Sequence, residues 1–180
     1  MIFHRFLNRR KKADVLPTAI PTREHFAFDN MDSVKSHQSA LTHWQKAKKG
    51  NLLPSRSDFD LSALAPFLPN IVLLDVVSDP LDFRYRVIGN VAMQNFTKNY
   101  TGLALSEIPG KGPDSAVFSS LETVVRSKEP CAQHIPYVGP NHDFKKISSL
   151  ALPLAKDHVN VDKIMIIVEF LRIQPCHKHA

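Results

Sequence analysis

Cysteine is nearly absent from this chain of 180 residues: only Cys131 and Cys176 occur, far apart. A disulfide framework is therefore excluded, and a reducing, cytoplasmic setting is expected. Long apolar runs are missing as well. The two longest, around Ile71 to Val77 and Ile164 to Phe170, are interrupted by Asp75 and Glu169, and Met1 to Leu7 is too short for a signal-peptide core. Enzyme motifs are also lacking. "GKGPDS" has no upstream glycine to make a phosphate-binding loop, and there is neither a G-x-S-x-G elbow nor an H-E-x-x-H pair. The terminal "CHKHA" offers Cys176, His177 and His179 without a fourth ligand at a set spacing, so no metal site is expected. These absences together argue against an enzyme.

The charge is unevenly placed. Of a formal +6, five positives come from Arg5, Arg9, Arg10, Lys11 and Lys12, which leaves the rest of the chain near +1. A basic tail on a nearly neutral body does not track phosphate backbones, so nucleic acid is not an expected partner. Residues 1–28, broken by Pro17 and Pro21, read as a flexible leader, and residues 175–180 as a tail. In residues 2–12, Ile2, Phe3, Phe6 and Leu7 stand beside the bases, a composition suited to an anionic membrane surface.

A single domain is expected between leader and tail. Met31, Val34, Leu41 and Trp44 recur at helical spacing, and Lys46, Lys48, Lys49 and Gly50 close the last turn, which predicts an amphipathic helix over 30–49. Asp58 is expected to cap a short helix carrying Leu61, Leu64 and Ala65. "NIVLLDVV" reads as a buried strand, "SDPLD" as a turn and "FRYRVIG" as a strand with one wet face, together a β-hairpin. "NVAMQNF" gives a helical turn. Val117, Phe118, Leu121, Val124 and Val125 give a longer helix between Pro113 and Lys128, and three strand-like runs follow at about 131–138, 144–154 and 163–173. Segregated strands and helices imply an α+β fold, an antiparallel sheet with its helices on one face.

On these residues the chain resembles a PAS domain, specifically the small stand-alone bacterial PAS-like family. The resemblance lies in Trp44 on its helix, "LPSR.DFD" at Leu53 to Asp60, "LP...LLDV" at Leu68 to Val76, "FRYR..G" at Phe83 to Gly89, and Thr101–Gly102. It covers about residues 40–173 and implies a five-stranded antiparallel sheet with the last strand beside the first. The segments between the second and third strands would cover one face. The amino-terminal helix, with Met31, Val34, Leu41 and Trp44, would pack on the other face or form a homodimer.

The resemblance also places a ligand between sheet and helices. Tyr85, Val87, Met93, Phe96, Phe118, Leu121 and His134 are the expected lining, with a filled core as the alternative at the apolar positions. The cofactor is left unnamed. The helix between Pro113 and Lys128 has no His to ligate haem, and "GNVAMQNFTKN" has no Cys for a flavin photoreceptor. Arg84, Arg86 and Glu169 are expected either to form an ion pair across the sheet or to receive an anion. The implied function is a sensory or interaction module for a small-molecule ligand or a signalling protein partner, acting in trans. Its alternatives are a ligand-free homodimerisation scaffold and a peripheral membrane adaptor.

Overall fold

The computed structural model describes residues 31–172; the basic leader and the Cys176–His179 tail lie outside them. β-Branched runs make the strands. β1 (Ile71–Ser78) and β2 (Leu81–Ile88) form the expected hairpin around Asp79–Pro80, and β3 (Cys131–Pro136), β4 (Phe144–Leu154) and β5 (Lys163–Arg172) complete the sheet. The order is β2-β1-β5-β4-β3, antiparallel throughout. The last strand in sequence is thus the central strand in space.

Register assigns the faces, because paired residues in antiparallel strands share one. Tyr85, Leu74 and Ile164 lie in one row of what we call the inner face, and Leu73, Met165 and Leu152 in one row of the outer face. Leu73, Leu74, Leu152, Ile164 and Met165 are all buried. A sheet apolar on both sides needs two covers.

The outer cover is α1 (Met31–Ala47), which buries His37, Ala40, Trp44 and Ala47. These positions form one stripe at helical spacing, laid on β4 and β5. Trp44 donates its indole N–H to the Pro153 carbonyl at 2.8 Å, and the Lys48 ammonium stands 5.0 Å from the Trp44 ring centroid. The helix stops where expected, with Lys49 and Gly50 both at positive φ.

The "LPSRSDFD" motif then ties this helix to the sheet. Leu53 donates its amide to the His158 carbonyl at 3.2 Å, His158 Nδ1 lies 3.0 Å from the Leu53 carbonyl, and Ala155 donates to Pro54 at 2.9 Å. His158 belongs to the β4–β5 connection, so the segment following α1 is clamped to the central hairpin. Asp58 does not cap the helix expected of it. It closes a 3-10 turn by accepting the Ser55 amide at 2.7 Å, and Asp60 caps α2 (Leu61–Leu64) through the Ser62 amide at 2.9 Å. Buried Phe59, in extended conformation, separates the two.

The inner cover consists of α3 (Asn90–Gln94), α4 (Ala116–Ser127) and the loops between them. Gly89 opens it. A side chain there would collide with the Leu68 and Pro69 backbone, which accounts for glycine at the end of "FRYRVIG". In α4, Ser115 caps the Phe118 amide at 3.1 Å, and Phe118, Leu121 and Val124 are buried. The Phe118 ring meets Phe83 edge-on at 5.0 Å. The helices between β2 and β3 thus lie on one face, as the fold class requires, with α1 on the opposite one.

Trp44 is the chain's sole tryptophan, so α1 docking has a built-in fluorescent reporter. Trp44→Ala is expected to destabilise the domain by about 3–5 kcal/mol. Trp44→Phe, which strands the Pro153 carbonyl, is expected to cost about 1–3 kcal/mol. Urea unfolding of both variants measures this, and an α1 that met only a second copy would instead show concentration-dependent emission in the wild type.

Candidate ligand chamber

The chamber is built from an inner-face ring cluster and a chain segment crossing above the sheet. Tyr85, on β2, is stacked with Tyr100 at a centroid distance of 5.7 Å, and Phe96 meets both, 6.3 Å from Tyr85 and 5.8 Å from Tyr100. Burial, with a smaller contribution from Tyr100, pushes the Tyr85 phenol up to about 12. At the other end, Tyr137 follows β3. Its hydroxyl donates to the Asn95 carbonyl at 3.0 Å and accepts the Asn141 amide at 3.2 Å, while its ring packs on Phe144 and Phe170.

β2 and β3 are the two edges of the sheet. The span Asn95–Tyr100 is tied to Tyr137, beyond one edge strand, through Asn95 and to Tyr85, on the other, through Phe96 and Tyr100. On the same face, on central β5, Ile166 is paired with Val72 on one side and Ala151 on the other. Both neighbours are buried, yet Ile166 retains some solvent exposure. With a strand on each side, that exposure enters through the inner cover. Met93, Phe96, Ile147 and Phe170 are likewise only half-buried. The cover of the inner face is thus less complete over these residues than over Leu74, Tyr85 and Ile164.

Of the residues expected to line a pocket, Tyr85, Phe118 and Leu121 are buried on the inner face, and Met93 and Phe96 lie half-buried in its cover. Val87 does not belong. The β1–β2 register shifts between Leu73 and Leu74, leaving Arg86 as an extra residue and turning Val87 to the outer face, where it is 46% exposed. His134 does not belong either. It is exposed and pairs with Ser148, which pairs with Glu169, a row on the outer face at the edge opposite Tyr85. Tyr100, Tyr137 and Asn95 were not anticipated. The three tyrosines of the chain, Tyr85, Tyr100 and Tyr137, all serve this one face, a signal that only the strand order makes visible.

The expected cross-strand ion pair forms with Arg86, but its acid is Asp75 and not Glu169. Arg86 bonds Asp75 at 3.0 Å, Lys163 approaches the same carboxylate at 3.4 Å, and Arg84 donates to the Gly102 carbonyl at 2.7 Å. Glu169 sits six residues beyond Lys163 on β5, about 20 Å away at strand rise. Arg86 is thus engaged within the fold. The proposed partner-facing stripe of α1 is turned inward: Trp44 is buried and Leu41 half-buried against the domain's own core. Met31 and Val34 lie outside the residues whose side chains are described.

His37 lies between α1 and the sheet. Burial, reinforced by nearby His134 and partly offset by a backbone hydrogen bond with Ile167, lowers its imidazole to about 4. A separate cleft between α1 and the Asp58–Ala63 segment, about 190 Å³, is lined by His43, Lys46, Asp58 and Asp60. Its two carboxylates are occupied with the Ser55 and Ser62 amides. Among the described residues there is no cluster of three or more His, Cys, Asp or Glu able to hold a metal, and no helix long and apolar enough to cross a membrane.

A five-stranded antiparallel sheet in this order, with short helices inserted between β2 and β3, is the PAS arrangement. The PAS domain family profile matches residues 31–168, and the chain belongs to that family. PAS domains are sensory, generally non-enzymatic modules. Solved structures similar to the chain include a fungal LOV domain photoreceptor, at 16% identity and TM-score 0.42, covering 65% of this chain and 95% of that one. Another is a sensory box sensor histidine kinase from Vibrio cholerae, at 13% identity and TM-score 0.45, covering 79% and 99%. No curated protein matches the sequence.

The His37 environment gives a signed pH dependence. Its folded value lies below the unfolded one of 6.5, so its contribution is intact above pH 6.5 and is lost as pH falls toward 4. Between those limits the wild type is expected to lose up to about 3 kcal/mol that His37→Gln does not lose. Urea titrations of the pair at pH 7 and pH 4.5 test this, and parallel pH profiles would show that the imidazole titrates freely.

Proposed function

We propose that this PAS domain is a sensory module that takes a small, largely apolar ligand into the inner-face chamber and passes its occupancy to α1. The supporting observation is the accessibility of Ile166. A residue at the centre of the central strand, flanked by buried neighbours, is reached only through an opening in the inner cover. Apolar lining with a few polar groups is the ordinary composition of a small-molecule site. Tyr85 and Tyr100 bring phenols here, and Thr97 meets the Tyr100 hydroxyl at 2.5 Å.

Strand β5 supplies the relay. Ile166 faces the chamber, while the next residue, Ile167, is buried on the outer face with its backbone beside the His37 imidazole of α1. A ligand that favours one setting of β5 shifts the seating of α1 by its difference in affinity for the two settings. A protein partner then reads the exposed polar side of α1, where Gln38, Ser39, Thr42 and Gln45 are presented. This reading puts the partner on that side, away from the Trp44 stripe.

Ile166→Trp fills the hollow without altering either strand pairing. Native mass spectrometry of protein isolated from its own host is expected to show an added mass on the wild type that the variant lacks, with Trp44 emission shifting as the ligand is removed. A wild type without adduct, together with an Ile166→Trp variant more stable than wild type, would mean the space is merely a packing defect.

A further inference from the structure

Two ammonium groups converge on one ring of the chamber. Lys98, on the roof span, and Lys111, in the loop before α4, hold their nitrogens 5.6 and 5.8 Å from the Tyr100 ring centroid. Tyr100 is buried and stacked with Tyr85, so both cations approach a ring that the fold holds fixed. Among the described residues, neither ammonium has a carboxylate within 4 Å. Of the local acids, Asp114 is exposed in the same loop as Lys111 without an ion pair among the described residues, and two others are engaged. Glu107 accepts the Ala104 amide at 2.5 Å and lies 3.9 Å from Arg84, and Asp82 accepts the Ser106 hydroxyl at 2.5 Å.

Lys111 is moreover half-buried, a costly position for a cation without a counter-charge. A ring face compensates a cation only in part at a partly exposed site. Two like charges at one ring add their mutual repulsion, which an anion between them would relieve. Phe96, on the same span as Lys98, lies against Tyr100 and offers apolar surface beside that charge.

Resting on the chamber proposed above, we infer that Lys98 and Lys111 are its anion-recognition end. The ligand is a small organic acid. Its oxyanion group, carboxylate or phosphate, is held between the two ammonium groups, and its apolar body lies along Phe96 under the Asn95–Tyr100 span. The charge fixes which end of the ligand faces the mouth, while the rings supply contact area.

Two dyes sharing one body test this: 8-anilinonaphthalene-1-sulfonate carries an anion, and N-phenyl-1-naphthylamine does not. By fluorescence titration the wild type is expected to prefer the sulfonate by about tenfold or more, the scale of a charge-assisted contact. The double variant Lys98→Ala/Lys111→Ala should lose that preference with unchanged affinity for the neutral dye, and Lys98→Arg/Lys111→Arg should keep it. Equal affinities in the wild type, or a preference surviving in the double alanine variant, would overturn the anion site while leaving the chamber standing, provided Ile166→Trp still expels both dyes. If neither dye binds the wild type, the chamber fails and this inference fails with it.

Discussion

A central strand that is apolar on both sides governs this molecule. β5 enters the sheet last in sequence yet lies between β1 and β4, and its Ile164, Met165 and Ile167 are buried on alternating faces. Neither face can be left to water, so the chain has to supply two covers. On the outer side one helix of 17 residues is enough, because its stripe fits the sheet and Trp44 satisfies its indole on Pro153. On the inner side the cover is assembled from helices of five and 12 residues and the loops around them. Short pieces tile a curved surface imperfectly, and Ile166 beneath them keeps part of its exposure.

The strands, the hairpin and the long inner helix were legible because each is dictated by local pattern: period two in "FRYRVIG", helical spacing in Phe118, Leu121 and Val124. What failed were individual side-chain positions that depend on exact register. Val87 continues the alternation of Phe83 and Tyr85 on paper, but a bulge at Arg86 inverts it, and a bulge has no signature beyond the extra residue. His134 has an inward or outward sense only once β3 is placed against β4. Asp75 was visible as an interruption of an apolar run, but its partners Arg86 and Lys163 come from strands on either side, one of them almost ninety residues later. The helix caps erred by two positions, since "SDFD" contains two aspartates and only burial of Phe59 decides which begins the helix.

The two faces share a single backbone. Ile166 and Ile167 are sequence neighbours pointing to opposite sides, and the next layer outward from Ile167 is the buried imidazole of His37. The clamp made by Leu53, Pro54, Ala155 and His158 fastens the far end of α1 to the β4–β5 connection. A movement of β5 along its own axis therefore reaches the helix at two points. This economy suits a domain of this size: few residues separate what is sensed from what is displayed.

The Tyr137 hydroxyl, shared between Asn95 and Asn141, joins the β3–β4 connection to the segment that follows α3. Two chain segments 42 residues apart in sequence thus lean on a single phenol oxygen. Removing that oxygen, and nothing else, would leave the Asn95 carbonyl and the Asn141 amide each to find another partner, so one atom fastens the β3–β4 connection to the segment after α3.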